Sequence, residues 1–212
     1  MTLADIKTVF YAPLMLPALS AYVFLHVDVK EKVAKDVRMY WTRTRGPVDD
    51  RSVIGMWYKL MTSNRVFRNV YYCRVGAIGK ILNLFLKEEP TLNIERSLCH
   101  NYGGGLYIAH GTSCQVYANR IGENLWMHQN VTLGMIGEGR PEIGDNVYIG
   151  TGAVVLGGIK IGNNVRIGAN AIVVDDIPDN SVVVSPKGKV IKTLLPARET
   201  QEYSVNRGGV NC

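Results

Sequence analysis

The sequence has few cysteines, no apolar run long enough to span a membrane with ease, and only a small excess of one charge. Its 212 residues include four cysteines, Cys73, Cys99, Cys114 and Cys212, and no CxxC pair. This spacing excludes a disulfide-scaffold protein and favours a reducing cytoplasm. Apolar residues make up 47% and charged residues 20%, which excludes a disordered chain. An ordinary hydrophobic core is therefore expected.

The charge balance indicates which classes of ligand the protein is expected to bind. Lys and Arg number 24 against 18 Asp and Glu, a formal net charge of +6. The basic residues are scattered and do not alternate with aromatic residues, so we predict no nucleic-acid partner. A small polyanionic ligand suits such a charge. No cluster of metal-ligating residues is visible, and we predict no metal site.

An apolar run from Phe10 to Val27 is close to the lower limit for a membrane-spanning helix. Pro13 and Pro17 interrupt it, and Asp5 argues against a signal peptide. We therefore predict a buried helix or helix pair. Peripheral membrane contact stays open, because the basic stretch from Lys30 to Lys59, which contains Tyr and Trp, follows this run.

Residues 1 to about 90 show a helical pattern. Apolar residues recur at spacings of three to four in three segments, Val29 to Trp41, Met56 to Met61 and Phe67 to Phe85. Gly76 and Gly79 are weak points of the third segment. Pro90 ends the helical section, because a helix stops before a proline.

A repeat of six residues occupies most of the chain after Tyr102. Aliphatic residues, most of them followed by glycine, mark its positions: Ile121, Met127, Leu133, Ile143, Ile149, Val155, Ile161, Ile167 and Val173. The one break, between Leu133 and Ile143, is one repeat plus a four-residue insertion around Met135 to Arg140. A β-sandwich would show irregular spacing. A period of six is typical of a hexapeptide parallel β-helix, in which three repeats form a triangular coil of about 18 residues.

The stretch from about Asn93 to Lys192 resembles the serine acetyltransferase branch of the hexapeptide-repeat acyltransferases. Four segments carry the resemblance: GGGLYIAHG (103–111), QNVTLG (129–134), IGDNVYIG (143–150) and IGNNVRIGANA (161–171). The pattern is most similar to members that O-acetylate sugars of bacterial surface polysaccharides. The resemblance implies a mainly β protein with a helical N-terminal domain (1–92), a left-handed parallel β-helix (93–192) and a C-terminal tail (193–212). It also implies a homotrimer with active sites between neighbouring β-helices.

The resemblance assigns His110 as the catalytic base. An alcohol is a poor nucleophile until a base of near-neutral pKa accepts its proton. Glu95, fifteen residues earlier, matches the position of the family's carboxylate, which fixes the imidazole tautomer. His128 is expected to line the cleft. Without the resemblance, four histidines compete for the role of base, and a solvated Glu95 is the ordinary alternative.

Two departures from the family concern the acceptor. Ala109 stands where serine acetyltransferases have Asp, and Arg140 stands where they have a second His. Both family residues help to hold the amino acid, so we expect a sugar hydroxyl as the acceptor and expect Arg140 to contact it.

The expected co-substrate is acetyl-CoA. Small residues at family positions would line a groove for its pantetheine arm, and lysines of the tail would meet its phosphates. These residues are Gly134, Thr151 and Ala169 for the groove, and Lys187, Lys189 and Lys192 for the phosphates. Gly and Ala also suit any corner of a β-helix, and a solvated basic tail is the alternative for the lysines.

The sequence thus predicts an acetyl-CoA-dependent O-acetyltransferase that acts on a sugar of a surface polysaccharide or its precursor. The acceptor would be a small molecule or a lipid-linked sugar, and the enzyme would be cytoplasmic. Two alternatives remain: a serine O-acetyltransferase of cysteine biosynthesis, and a non-catalytic hexapeptide assembly module. Cys114 lies close to His110 in the chain, and we assign it a packing role.

Overall fold

The structure, a computed structural model, describes residues 13, 15–48, 52–189 and 191–192. Its first part is helical. Residues 15–23 form helix, and four further helices follow: α1 (Val27–Arg45), α2 (Val53–Ser63), α3 (Arg65–Val75) and α4 (Ala77–Phe85). The helical structure predicted for the three segments is therefore confirmed.

The apolar run near the N-terminus packs against the other helices. Met15, Ala18 and Ala21 are buried, and the Tyr71 hydroxyl donates a hydrogen bond to the Ala18 carbonyl at 2.8 Å. Residues 10–12 and 14 of the run lie outside the described residues. Within the described part of the chain, no helix combines the length and hydropathy that crossing a membrane requires.

Local sequence signals explain where the helices begin and end. The Ser52 hydroxyl accepts a hydrogen bond from the Gly55 N–H at 3.1 Å, and the Asn64 side chain accepts one from the Phe67 N–H at 2.9 Å. Both side chains therefore cap helix N-termini. Gly76 has a φ of 60° and divides the predicted segment Phe67 to Phe85 into α3 and α4.

Gly79 lies inside α4 because the helix packs directly on α3 at this point. A Cβ at Gly79 would lie 2.6 Å from the Tyr72 carbonyl oxygen. We expect Gly79→Ala to lower the free energy of unfolding by about 1–3 kcal/mol, since the clash is with backbone. Gly55→Ala in α2 is the matched control, because its Cβ would meet only the Ser52 hydroxyl, at 3.3 Å. Equal urea midpoints for the two variants would contradict the close approach.

Short strands and one 3-10 helix (Arg96–Asn101) make up the rest of the described chain. The strands are β1 (Leu92–Ile94), β2 (Tyr107–Ile108), β3 (Cys114–Val116), β4 (Arg120–Ile121), β5 (Trp126–Met127), β6 (Thr132–Gly134), β7 (Glu142–Ile143), β8 (Tyr148–Ile149), β9 (Val154–Leu156), β10 (Lys160–Ile161), β11 (Arg166–Ile167), β12 (Ile172–Val173) and β13 (Val182–Val183).

The strands form three parallel sheets that wrap around one core. Sheet 1 has the order β1-β3-β6-β9-β12, sheet 2 the order β10-β7-β4, and sheet 3 the order β13-β11-β8-β5-β2. The chain visits the sheets in turn, as in a parallel β-helix. All nine aliphatic residues that mark the six-residue repeat are buried, each with an exposed fraction of 3% or less. The predicted β-helix with its helical N-terminal region is confirmed.

The insertion predicted after Leu133 is also present. Ile136 and Gly139 exchange backbone hydrogen bonds at 3.1 Å, which closes a small hairpin. Glu142 pairs with Arg120, 22 residues earlier, on the preceding coil, and the insertion lies between the two. It pairs with Lys160, 18 residues later, on the following coil. The insertion therefore lengthens one coil without disturbing the sheets.

Left-handed residues stack at two corners of the prism. The histidine corner, between sheets 3 and 1, contains His110 and the stacked residues Ser113, Asn130, Gly152 and Asn170; the asparagine corner, between sheets 2 and 3, consists of Asn124, Asn146, Asn164 and Asn180. All nine have φ between 52° and 71°. At the asparagine corner, each side-chain amide donates to the next side chain along the prism at 3.0–3.3 Å. Asn tolerates this conformation, which explains its recurrence.

The helical region satisfies the exposed backbone edge of the first coil. Asn69 donates to the Leu92 carbonyl at 3.0 Å, and Arg74 donates to the carbonyls of Tyr102 and Gly103. Asp36 accepts from the Leu106 N–H at 2.8 Å. Tyr40 accepts from the Ile108 N–H and donates to its carbonyl, at 3.2 and 3.4 Å. Helical side chains thus replace the missing neighbouring strand on each side of the prism.

A disulfide joins Cys73 of α3 to Cys99 of the 3-10 helix, with 5.8 Å between their Cα atoms. The cysteine spacing did not predict this bond, because the partners lie 26 residues apart in sequence, with α4 between them. Both cysteines are buried. The bond ties the helical region to the first coil.

Candidate active site

His110 lies at the histidine corner, directly after β2, and its side chain is exposed. Its φ is 64° and that of Gly111 is 62°, so two consecutive residues are left-handed. A Cβ at Gly111 would lie 2.7 Å from the Val66 side chain at the start of α3. The close approach of α3 thus requires glycine here and presents the imidazole to solvent.

His128 lies beside His110 on the outer face of sheet 3. Its ring stacks on Trp126 at 5.6 Å and meets Tyr148 edge-on at 5.5 Å. Burial lowers its pKa, and the nearby charge of His110 lowers it further. The spacing between paired residues changes at this corner: Tyr107 pairs with Trp126, nineteen residues on, whereas Gln115 pairs with Thr132, seventeen residues on.

The His128 pKa provides a test of this proximity. We expect the ring to titrate below the ordinary value of 6.5, and we expect His110→Ala to raise the midpoint partway, because one positive neighbour is removed. NMR titration of the imidazole protons measures both. The His100→Ala variant is the control, since His100 lies exposed on the 3-10 helix. An unchanged His128 midpoint in His110→Ala would show that the two rings do not interact.

Three buried polar atoms near His110 have no hydrogen-bond partner among the residues that the structure describes. They are Trp126 Nε1, His128 Nε2 and Gln129 Oε1, on consecutive outward positions of one strand and its corner. Buried polar groups are normally satisfied, and an unpaired one is costly. These atoms are therefore positions where a bound water, a ligand or a neighbouring chain would supply the missing partner.

Glu95 does not lie beside the His110 of its own chain. β1 pairs with β3, and this register places Leu92 next to Cys114. Glu95 lies three residues after Leu92, whereas His110 lies four residues before Cys114. The two residues are therefore at opposite ends of the paired strands. The Glu95 carboxylate accepts hydrogen bonds from the Ser97 hydroxyl and N–H at 2.6 and 3.1 Å, and these lower its pKa. The fifteen-residue spacing predicted that Glu95 would lie next to His110, on the assumption of a regular coil. The 3-10 helix lengthens this coil, so the two residues lie apart.

Arg140 shares the corner of Glu95, between sheets 1 and 2. It ends the inserted loop, where its Nε lies 3.2 Å from the Met135 sulfur, and its charge contributes to lowering the Glu95 pKa. The structure therefore places a carboxylate and a guanidinium together, away from the His110 of the same chain.

The residues expected to hold acetyl-CoA fall into three groups. Thr151 and Ala169 are adjacent on the histidine corner, where the Thr151 carbonyl accepts from the Asn170 N–H at 2.9 Å. Gly134 pairs with Leu156, which lies five residues after Thr151. Both are the last residues of their strands in sheet 1, away from the histidine corner. The tail lysines Lys187, Lys189 and Lys192 are exposed beyond β13.

Cys114 is not a nucleophile in this environment. The residue is fully buried, and its thiol donates to the His128 carbonyl at 3.3 Å. Burial raises the pKa of this thiol, so the reactive thiolate is disfavoured. The geometry supports the packing role predicted for it.

Sequence reasoning missed the aromatic surface next to His128. Trp126 and Tyr148 pair across β5 and β8, and Arg43 of α1 lies over the Trp126 ring at 3.8 Å. The signal was present, because each aromatic residue directly precedes a buried residue of the six-residue repeat, namely Met127 and Ile149. Only the sheet register shows that they are neighbours.

The fold and the corner define a class: a parallel β-helix of hexapeptide repeats with a solvent-exposed histidine at one corner. Residues 140–175 match the family described as "Bacterial transferase hexapeptide (six repeats)". In the described part of the chain, no group of three or more metal-ligating side chains is close enough to hold an ion.

The relatives are more specific. The chain is 36% identical to the serine acetyltransferase of Staphylococcus xylosus over 146 residues, 66% of this chain and 64% of that protein. Among solved structures, it is similar to Neisseria gonorrhoeae serine acetyltransferase in complex with serine (26% identity, TM-score 0.62, 82% of this chain and 73% of that chain). The soybean serine acetyltransferase apoenzyme is similar as well (26%, TM-score 0.58, 82% and 72%). The chain thus has serine acetyltransferases as homologues, and it spans less than two thirds of the Staphylococcus protein.

These relatives correct one expectation. The sequence pattern favoured the polysaccharide-modifying type of acetyltransferase, and the comparisons support the serine acetyltransferase type instead. A role in polysaccharide biosynthesis and a lipid-linked sugar acceptor are not supported.

Proposed function

We propose that this protein is an acetyl-CoA-dependent O-acetyltransferase whose acceptor is the hydroxyl of serine. The observation that carries the proposal is the 36% identity to a serine acetyltransferase over 66% of the chain. An exposed histidine at the corner of the β-helix supports the same chemistry. The serine acetyltransferase alternative raised by the sequence thus becomes the main proposal. Because acetyl-CoA is an intracellular metabolite, we propose a cytoplasmic location. The reducing cytoplasm would keep Cys73 and Cys99 as two packed thiols in place of the disulfide described above.

His110 supplies the base in this proposal. Its imidazole accepts the hydroxyl proton while the serine oxygen attacks the thioester carbonyl, and the proton then passes to the leaving thiolate. Backbone N–H groups stabilise the tetrahedral oxyanion, which contributes about 3–4 kcal/mol per donor in comparable sites. His128 forms the wall next to the base, where burial keeps its ring neutral.

The acceptor pocket is proposed to include a second protomer. Arg140 and Glu95 share a corner, and a guanidinium beside a carboxylate complements the carboxylate and ammonium of a free amino acid. Since this corner is distant from the His110 of the same chain, we propose a homotrimer in which Glu95 and Arg140 of one protomer complete the site of His110 in the next. Glu95 then binds the acceptor in place of orienting the base.

The donor side is proposed to follow the histidine corner. In this proposal the small side chains of Thr151 and Ala169 leave room for the pantetheine arm between adjacent coils, which bulkier side chains would obstruct. Gly134 lines the far end of sheet 1, and the exposed Lys187, Lys189 and Lys192 remain the proposed partners of the coenzyme A phosphates.

The proposal is tested by release of free thiol from acetyl-CoA in the presence of L-serine. We expect turnover with serine and none with N-acetylglucosamine or galactose at the same concentration. Turnover with the sugars alone would reject the serine acceptor. No turnover with any acceptor, together with no calorimetric binding of acetyl-CoA, would favour the non-catalytic assembly module.

The shared site is tested by mixing two inactive variants. His110→Ala and Arg140→Gln protomers are unfolded together and refolded as mixed trimers. Sites between chains combine an intact His110 with an intact Arg140, so about a quarter of them regain full function on random mixing. If both residues acted within one chain, the mixture would stay as inactive as its components.

A further inference from the structure

A groove of about 330 Å³ separates α1 from the outer face of sheet 3. Its main lining residues are Met39, Arg43, Trp126, Tyr148 and Arg166. A second depression of about 270 Å³ continues along α1 over Lys35, Arg38 and Thr42. Together the two have the volume of an ordinary small-ligand site, about 300–1,000 Å³.

The floor of this groove is aromatic because of the sheet register. Tyr107 pairs with Trp126, Trp126 with Tyr148, and Tyr148 with Arg166, so their side chains form one row on the outside of the prism. The Trp126 and Tyr148 rings meet edge-to-face at 5.0 Å with an angle of 89°. Within this row, the face of the Trp126 indole that Arg43 covers is the planar surface on which a ligand ring could stack.

The walls carry positive charge that no carboxylate neutralises. Arg43 lies 3.8 Å from the Trp126 ring and Arg166 lies 5.3 Å from the Tyr148 ring. Among the described residues, neither arginine forms a salt bridge, and the exposed Arg38 forms none either. Glu123, which precedes the lining residue Asn124, is paired with Lys35. Three guanidinium groups therefore face a groove that contains no matching acid, which favours an anionic ligand.

The Arg43 guanidinium covers one face of the Trp126 indole ring. The indole N–H of Trp126 is buried, and the described part of the chain supplies no acceptor for it. A cation–π contact at an exposed site contributes only about 0.5–1 kcal/mol, so an anion that attracts Arg43 displaces it at small cost. The indole face then becomes available for stacking, and its N–H becomes available to an acceptor on the ligand.

We propose that this groove binds a nucleoside phosphate. The base stacks on Trp126, while Arg43, Arg166 and Arg38 bind the phosphate groups. This goes beyond the acetyltransferase activity proposed above, and the ligand is separate from acetyl-CoA, whose proposed positions Thr151 and Ala169 lie on the histidine corner. The site makes the protein responsive to a nucleotide.

The test uses ADP as the probe, with calorimetry and tryptophan fluorescence as two readouts. We expect saturable binding of one ADP per chain and quenching of the Trp126 emission, which Trp126→Phe abolishes. Arg43→Gln and Arg166→Gln each weaken binding at least about tenfold, because each removes a charge-assisted contact. Arg120→Gln is the matched control: this exposed arginine lies on sheet 2, and its removal leaves the affinity unchanged.

Competition with acetyl-CoA decides whether the site is separate. ADP binding that persists in saturating acetyl-CoA supports the proposal, and displacement overturns it by assigning the groove to the co-substrate. No saturation below about 1 mM ADP, or equal affinity in Arg43→Gln and Arg166→Gln, overturns it as well. Serine acetylation is assayed without ADP, so failure of one proposal leaves the other standing.

Discussion

Replacing His110 with alanine is expected to lower the rate of acetyl transfer by about 10²–10⁴-fold, the usual contribution of a positioned general base. The exposed side chain at the histidine corner makes few contacts, so the fold is expected to persist. Binding of coenzyme A, measured by calorimetry, stays intact, because the proposed donor groove is formed by Thr151 and Ala169. The change therefore appears in kcat and leaves coenzyme A affinity unaffected.

His100→Ala is the control for this variant. His100 is also exposed, but it lies on the 3-10 helix, away from the histidine corner. We expect wild-type turnover from it. Turnover retained in His110→Ala would remove His110 from the mechanism, whatever the behaviour of the control.

Arg74→Met is expected to lower the free energy of unfolding by about 3–5 kcal/mol, because it leaves the buried Asp36 carboxylate without its ion-pair partner. The guanidinium contacts Asp36 through Nε at 2.9 Å and also donates to three carbonyl groups of the first coil, those of Cys99, Tyr102 and Gly103. Equilibrium unfolding in urea measures the loss.

Lys35→Met provides the comparison for Arg74→Met. Lys35 pairs with Glu123 at the surface, and exposed pairs contribute about 0–1 kcal/mol. A similar loss in both variants would show that charge removal in general, and not the buried contact with the first coil, accounts for the effect.

The β-helix was predictable because its physical signal is repeated and local. Each repeat must direct one aliphatic residue inward, so the same residue type returns every six positions, as Ile143, Ile149 and Ile161 illustrate. The insertion was predictable for the same reason, since it interrupts an otherwise regular spacing. Helices of the N-terminal region were predictable from apolar periodicity, and their ends from capping residues and Gly76.

Contacts between distant segments could not be predicted. Asp36 and Arg74 pair across 38 residues, and Tyr40 reaches Ile108 across 68 residues, without any local pattern that marks them. The predicted partnership of Glu95 and His110 relied on counting residues along a regular coil. The first coil is irregular, because the 3-10 helix occupies one of its sides. Counting is reliable only where the repeat is intact.

The side-chain cap on the first coil closes one end of the prism to further strands. At this end, Asn69, Arg74 and Tyr40 occupy the backbone groups to which another strand would bind. An end-to-end fibre needs both ends of every copy, because each copy must accept a neighbour on either side. One capped end is therefore sufficient to prevent copies of this prism from stacking through their strand edges into an open-ended fibre.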